Sequence, residues 1–150
     1  MAGFKGKYEY AVDDKGRVNL PAKLRKNLSP EAQDSFVITR GYDISLDLFP
    51  LDMWNEFEQQ LRNKTNRHED DHRLYVRTVM MWAQETSLDK QSRITIPQDL
   101  MEFAGISGNV IIIGALDKIE LWSPENFKAY YDRHAEQTYE AVAARVMGGA

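Results

Sequence analysis

Two nine-residue segments, DDKGRVNLP at 13–21 and DKQSRITIP at 89–97, constrain this chain more than any other feature. Arg17 falls on Arg93 and Pro21 on Pro97, an offset of 76. The correspondence continues downstream, where 41–54 matches 114–127 at an offset of 73, so three residues are lost along the repeat. Each copy spans about 45 residues of short strands. A unit that small seldom buries enough apolar surface to fold alone. Two copies in one chain bury their faces against each other around a pseudo-two-fold axis. The predicted fold class is therefore α+β, mainly β, with two tandem modules sharing one core.

The local signals agree with this plan. KYEYAV at 7–12 alternates and carries aromatics, which predicts a strand. Asp13-Asp14-Lys15-Gly16 predicts a turn, with acids that bond nearby amides and a glycine free to take positive φ. RVNL at 17–20 is the return strand. Pro21 opens a helix that buries Leu24 and Leu28 and exposes Lys23, Arg25 and Lys26. Strands follow at 36–39 and 44–49, then a helical stretch from Leu51 to about Met80, with Trp54, Phe57 and Leu61 at helical spacing. That stretch is long enough to swing the second copy back onto the first. The second copy gives strands at 81–88 and 93–96 around a turn at 89–92, and a helix after Pro97 that Gly105 stops. Strands at 110–113 and 119–122 flank a turn at Gly114. Ser123-Pro124 caps a last helix, whose face runs through Phe127, Tyr130 or Tyr131, His134, Thr138 and Val142. The expected boundaries are a first module at 7–54, a helical connector at 55–82, a second module at 83–126 and a C-terminal helix at 127–150, its tail from Ala144 fraying.

Charge is uneven. The chain's net charge is −4, which opposes indiscriminate binding to nucleic acid. Residues 1–28, however, set seven cations (Lys5, Lys7, Lys15, Arg17, Lys23, Arg25, Lys26) against three acids (Glu9, Asp13, Asp14). That balance of +4 surrounds the first motif and leaves −8 for the rest. No cysteine is present, so disulfides and thiolate metal sites are excluded, and a reducing cytoplasm is the fitting compartment. The first residues hold no secretory h-region, and the longest apolar run, 110–116, is too short to span a bilayer, so no membrane partner is expected.

Both motifs read Asp-x-x-x-Arg. One reading is structural: the aspartate closes the turn and pairs with the arginine across the hairpin mouth, a contact that contributes little at a surface. The other is functional. The planar arginine fork suits phosphate and the O6/N7 edge of guanine, and Lys15 projects from the turn tip.

At these residues the chain resembles the MraZ family. The likeness covers FKGKYEYAVDDKGRVNLPAKLR, LDLFPLDMWNEFEQQL, SLDKQSRITIP and KIELWSPENF, nearly the whole length. It implies two tandem SpoVT/AbrB-type swapped-hairpin modules forming one pseudo-two-fold barrel with flanking helices. It also implies ring-shaped homo-oligomers that bind repeated boxes in double-stranded DNA. These lie upstream of the family's own division and cell-wall operon, whose transcription the family regulates. A repressor with a cytoplasmic, nucleoid-associated location is the expectation. The signature loops face DNA. Carried over, they make Asp13, Asp14, Lys15, Gly16 and Arg17 the first DNA-binding loop, with Lys7, Lys23 and Arg25 in support. Asp89, Lys90 and Arg93 form the second. That second loop departs: Gln91 answers Lys15, Ser92 answers Gly16, and Gln98-Asp99 answer Ala22-Lys23. Arg93 is left between a DNA contact and a structural role. A head-to-tail ring predicts direct repeats spaced about 10 base pairs. Swapped-hairpin barrels also serve as antitoxin-like interaction modules, which is the alternative function.

A sharper alternative is HEDDH at 68–72, a literal H-E-x-x-H. On a helix His68 and His72 would lie one turn apart, with Glu69 as general base. Charged flanks and a missing continuation oppose it, and Glu85 and His134 lack context as third ligands. No Gly-rich phosphate loop and no Ser/His/Asp order is present. The expectation is no enzyme, no cofactor and no metal. Trp54, Trp82 and Trp122 are expected in the core or at a subunit contact, Met80-Met81-Trp82 at the join between modules, and Tyr130-Tyr131 in either setting.

Overall fold

The computed structural model describes residues 3–148. Chain order is β1 (Lys7–Ala11), β2 (Arg17–Asn19), α1 (Ala22–Arg25), a 3-10 turn (Pro30–Ala32), β3 (Ser35–Arg40), β4 (Leu46–Pro50), α2 (Leu51–Lys64) and α3 (Asp70–Trp82). It continues with β5 (Gln84–Ser87), β6 (Arg93–Thr95), α4 (Gln98–Ala104), β7 (Asn109–Ala115), β8 (Lys118–Trp122), α5 (Pro124–Arg133) and α6 (Tyr139–Met147). The fold is α+β: an antiparallel sheet system with, among the described residues, six α-helices.

The repeat is written into the strand pairing. One sheet runs β1-β7-β8-β4-β3-β5, and a separate ribbon pairs β2 with β6. β5 is the second-copy counterpart of β1, β7 of β3 and β8 of β4, so the sheet order reads the same from either end. The copies exchange strands: β1 of the first pairs with β7 of the second, and β5 of the second with β3 of the first. In the ribbon Val18 faces Ile94, with Arg17 opposite Thr95 and Asn19 opposite Arg93. The flanking bonds repeat at the same offset, Leu20 N–H donating to the Ser92 carbonyl at 3.0 Å and Ile96 N–H to the Gly16 carbonyl at 2.8 Å.

One core results. It holds Val18, Leu20, Leu24 and Ile38 from the first copy together with Ile94, Ile96, Leu100 and Ile112 from the second. Close packing of this kind explains why neither copy needs a disulfide. A second cluster seats α2 on the sheet, where Phe49 stacks on Phe57 at 5.1 Å and meets Trp54 edge-on at 5.5 Å. Trp54 and Trp122 are buried, and Trp82 is half-buried against Phe103.

Five expectations need correction. The helical stretch after Leu51 is two helices, broken at 65–69, where polar residues satisfy one another: His68 N–H donates to Asn66 Oδ1 and Asn66 N–H to His72 Nδ1. The strand expected from Met81 begins only at Gln84, because α3 continues through Trp82. Gly114 is no turn. It lies inside β7, where a Cβ would meet the Lys5 backbone nitrogen at 2.2 Å, so glycine is required there by the close passage of the Phe4–Lys5 backbone. The face expected from Phe127 to Val142 is divided: α5 ends at Arg133, and Thr138 caps α6 by accepting from Ala141 N–H at 3.0 Å. α6 continues to Met147 where fraying was expected from Ala144; Gly149 and Ala150 lie outside the described residues.

The β4–β8 pairing marks the other crossing of the pseudo-two-fold, with Asp47 opposite Glu120. Lys118 Nζ lies 2.9 Å from Asp47 Oδ1 and 3.6 Å from Glu120 Oε2. Burial nevertheless pushes the Asp47 carboxyl up to about 6; Lys118 offsets this only in part, and Glu120 and Asp43 repel the charged form. The folded state therefore holds a proton that the unfolded chain releases near pH 4, and stability falls as pH rises from about 4 to 6. Asp47→Asn should abolish this slope and exceed wild type by about 1–3 kcal/mol at pH 7. Urea denaturation of both proteins at pH 4, 5, 6 and 7 checks it.

Candidate nucleic-acid interface

The two Asp-x-x-x-Arg turns are built alike. In the first, Asp13 Oδ1 accepts from Lys15 N–H at 3.0 Å and Arg17 N–H at 2.8 Å, while Oδ2 accepts from Arg17 Nε at 2.7 Å. In the second, Asp89 Oδ1 accepts from Gln91 N–H at 2.8 Å and Arg93 N–H at 2.9 Å, and Oδ2 from Arg93 Nε at 2.9 Å. The Arg17 amide, with its guanidinium and the Lys15 amide, holds the Asp13 carboxyl below the usual carboxylate range. Arg93 and Gln91 do the same for Asp89. The structural and functional readings of the motif are thus compatible. The aspartate engages only Nε among the described residues, which leaves both terminal guanidinium nitrogens for a ligand. The brace also fixes the direction of each fork.

Alternation decides which way the forks point. Val18 and Ile94 face inward, 2% and 1% exposed. Their neighbours Arg17, Asn19, Arg93 and Thr95 must stand on the opposite face of the ribbon. In this register Arg17 and Arg93 are diagonal neighbours, about 7–8 Å apart. Residues 76 positions apart in the sequence thus form one outward quartet.

The remaining basic residues divide. Lys15, Lys23 and Lys90 are exposed around the ribbon, Lys15 at the first turn tip and Lys23 on α1. Arg25 is half-buried and donates from Nε to the Leu20 carbonyl at 2.9 Å, which anchors the end of β2. Lys7 sits at the far end of β1, with Nζ 5.4 Å from the Phe127 ring centroid. Six residues of extended chain, about 20 Å, separate it from the turn, so the structure does not bring it to the loop. Asp14 is exposed and makes no part of the brace. On the second-copy side Asp99 stands where Lys23 does on the first, and accepts from Gln84 Nε2 at 2.9 Å. The exposed lysines therefore divide between the ribbon's ends, Lys15 with Asp99 at the Arg17–Thr95 end and Lys23 with Lys90 at the Asn19–Arg93 end. Asn19 and Thr95, which the sequence did not single out, stand exposed beside the arginines on this face; strand alternation outward from the buried Val18 and Ile94 is the signal that places them there.

HEDDH does not form a one-turn pair. α3 starts at Asp70, Glu69 is its cap residue and His68 precedes it. His72 Nε2 lies 3.1 Å from Glu69 Oε2, and no cluster of three or more metal-ligating side chains occurs among the described residues. No helix among the described residues is long and apolar enough to cross a membrane.

Comparison with known proteins agrees with the internal repeat. The family model described as "MraZ protein, putative antitoxin-like" matches twice, over 4–78 and 79–148. A protein of Halothermothrix orenii named transcriptional regulator MraZ is 40% identical over 141 residues, 94% of each chain. Proteins of the same name from Clostridium tetani and Oenococcus oeni are 37% and 41% identical, covering 95% and 89% of this chain and 96% and 90% of their own.

The turns differ at one backbone position. Gly16 has φ 80°, and a Cβ there would lie 2.4 Å from the Ile96 carbonyl oxygen; Ser92 holds φ 61° with a side chain. Gly16→Ala should cost about 2 kcal/mol through clash and left-handed strain. Ser92→Gly should change stability by less than about 1 kcal/mol, because relief of strain is offset by chain entropy. Paired denaturant titrations measure both.

Proposed function

The chain belongs to the MraZ family, and from that premise we propose that it is a sequence-specific transcriptional regulator that binds double-stranded DNA. The observation that carries this reading is the pair of braced arginines on one outward face of the β2–β6 ribbon. A two-stranded ribbon fits the major groove, and each fork matches the O6/N7 edge of guanine or a phosphate. Lys15, Lys23 and Lys90 supply backbone contacts that hold the register. Asp13 and Asp89 act as positioning residues for the forks, Arg25 as an anchor for the ribbon, and Lys7 lies outside the contact. The exchange of strands between copies supports a swapped-hairpin barrel, with modules at 7–54 and 83–126. The relatives' common name supports control of transcription. We assign repression of the chain's own division and cell-wall cluster, in a cytoplasmic, nucleoid-associated setting.

An acidic chain needs its few cations gathered. Self-assembly does this, and the surface offers a reason for it. Tyr42, Ile44, Leu74, Met81 and Leu116 are exposed, and a cavity of about 650 Å³ between β3, α3 and the β7–β8 turn is walled by Phe49, Phe57, Leu74 and Val79. No residue of α6 is buried, and Tyr139, Val146 and Met147 are bare. Apolar surface of this extent marks an interaction site. Head-to-tail burial of these faces closes a ring and presents ribbons of one polarity to direct repeats, about 10 base pairs apart.

A mobility shift with the chain's own upstream DNA tests the reading. Compared with wild type, Arg17→Ala should lose most binding, about ten-fold or more, and Arg93→Ala less, because the Lys15 of the first turn is answered by the neutral Gln91 in the second. Equal binding by all three proteins would remove the ribbon from the mechanism. A stoichiometric protein partner in a pull-down, with no DNA shift, would favour the antitoxin-like role instead.

Leu74→Glu combined with Leu116→Glu should dissociate the assembly and weaken operator binding at least ten-fold, since linked sites gain through effective concentration. Light scattering and anisotropy on one sample check both halves; a dispersed protein with full affinity contradicts the ring.

A further inference from the structure

We infer that the outward quartet of the β2–β6 ribbon reads bases directionally, and that Asn19 and Thr95 supply the direction. The inference rests on the DNA-binding reading above and specifies how that site chooses sequence. The ribbon's pseudo-two-fold passes between Val18 and Ile94. Its outward positions are therefore two related pairs. Arg17 and Arg93 are identical and braced identically. A face carrying only these presents the same donors when turned end for end, and so reads a palindrome. The loop cations do not break this equivalence, because phosphates line both strands and carry no sequence information. Asn19 and Thr95 do break it. They occupy the second related pair, each beside the arginine of the other copy, and both are exposed.

The two side chains offer different chemistry to a base edge. The asparagine amide presents a donor and an acceptor that match adenine N6 and N7; threonine presents a hydroxyl and a methyl that suits the thymine methyl. Arg17 and Asn19 alternate on one strand, so their side chains stand about 6.8 Å apart along it. That is about two base-pair steps. One half of the ribbon accordingly favours guanine with adenine about two steps away, and the other favours guanine with thymine at the same spacing. The two orientations are no longer equal, which gives a direct repeat its required polarity within a single subunit.

The test is selection of a randomised duplex library by the full chain, as wild type and as Asn19→Thr, which makes the two halves of the quartet alike. Wild type should enrich an asymmetric box. The variant should lose preference for adenine at one position, with discrimination there falling about ten-fold, and its box should move toward a palindrome. Its salt slope and melting temperature should not change, since Asn19 is exposed on the ribbon. Thr95→Asn should yield the palindrome with adenine in both halves. An unchanged box from Asn19→Thr overturns the inference while leaving the DNA reading intact. So does an equal loss of affinity for every sequence. A wild type that enriches nothing overturns the DNA reading and the inference with it.

Discussion

The contact on which the rest depends is the meeting of Val18 with Ile94 across the β2–β6 ribbon. Three-residue strands cannot hold together in water, and a lone hairpin is marginal at best. Here each strand closes a core whose other half comes from the partner copy. Leu20 and Leu24 need Ile96 and Leu100, and β1 needs β7. Removing one copy would expose the apolar face of the other and leave each of its four strands short of a partner. The duplication is thus a condition for folding, and the outward quartet is its by-product: burying the centres of both short strands forces their neighbours to the opposite face.

The same geometry resolves the double meaning of the Asp-x-x-x-Arg motif. A surface ion pair contributes little to stability, and Asp13 and Arg17 are both partly exposed. The aspartate contributes more by accepting two backbone amides, which shapes the turn, and it uses its second oxygen to hold the arginine at Nε. A long flexible side chain loses entropy whenever it docks. Here part of that ordering has been completed by the fold. The brace therefore fixes the direction of the fork even though it counts little toward stability.

Legibility followed the range of the interactions. Turns, caps and the helix stop at Gly105 depend on neighbours within a few residues, and they stand where the sequence places them: Ser123 accepts from Asn126 N–H, and Gly105 takes φ 68°. The two-fold relation was readable because the repeat is itself a sequence feature. What failed depended on distant chain. Gly114 looked like a turn because glycine usually marks one, whereas its role is to let Phe4–Lys5 pass against β7. The break at 65–69 was hidden inside a helical composition, and it removed the helical spacing that H-E-x-x-H requires. At the site, Arg17 and Arg93 were legible as residues. Their placement on one face of one ribbon was not, because it follows from a register set by the whole core. Lys7 and Arg25 looked equivalent to Lys23 by charge, yet packing sends one to Phe127 and the other to a backbone carbonyl.

Two copies that must remain alike inside are free to differ outside. Val18 and Ile94, Leu20 and Ile96, and Leu24 and Leu100 keep their apolar character because each fills the same half of one core. Lys15 against Gln91, Lys23 against Asp99 and Asn19 against Thr95 touch no such constraint, being exposed. Divergence there tilts the chemistry of the ribbon, with Lys15 and Asp99 at one end and Lys23 and Gln91 at the other, without disturbing the axis that holds the strands. A homodimer of one copy could never acquire this tilt, since every substitution would appear twice. Fusing the copies into one chain is what permits a symmetric scaffold to carry an asymmetric surface.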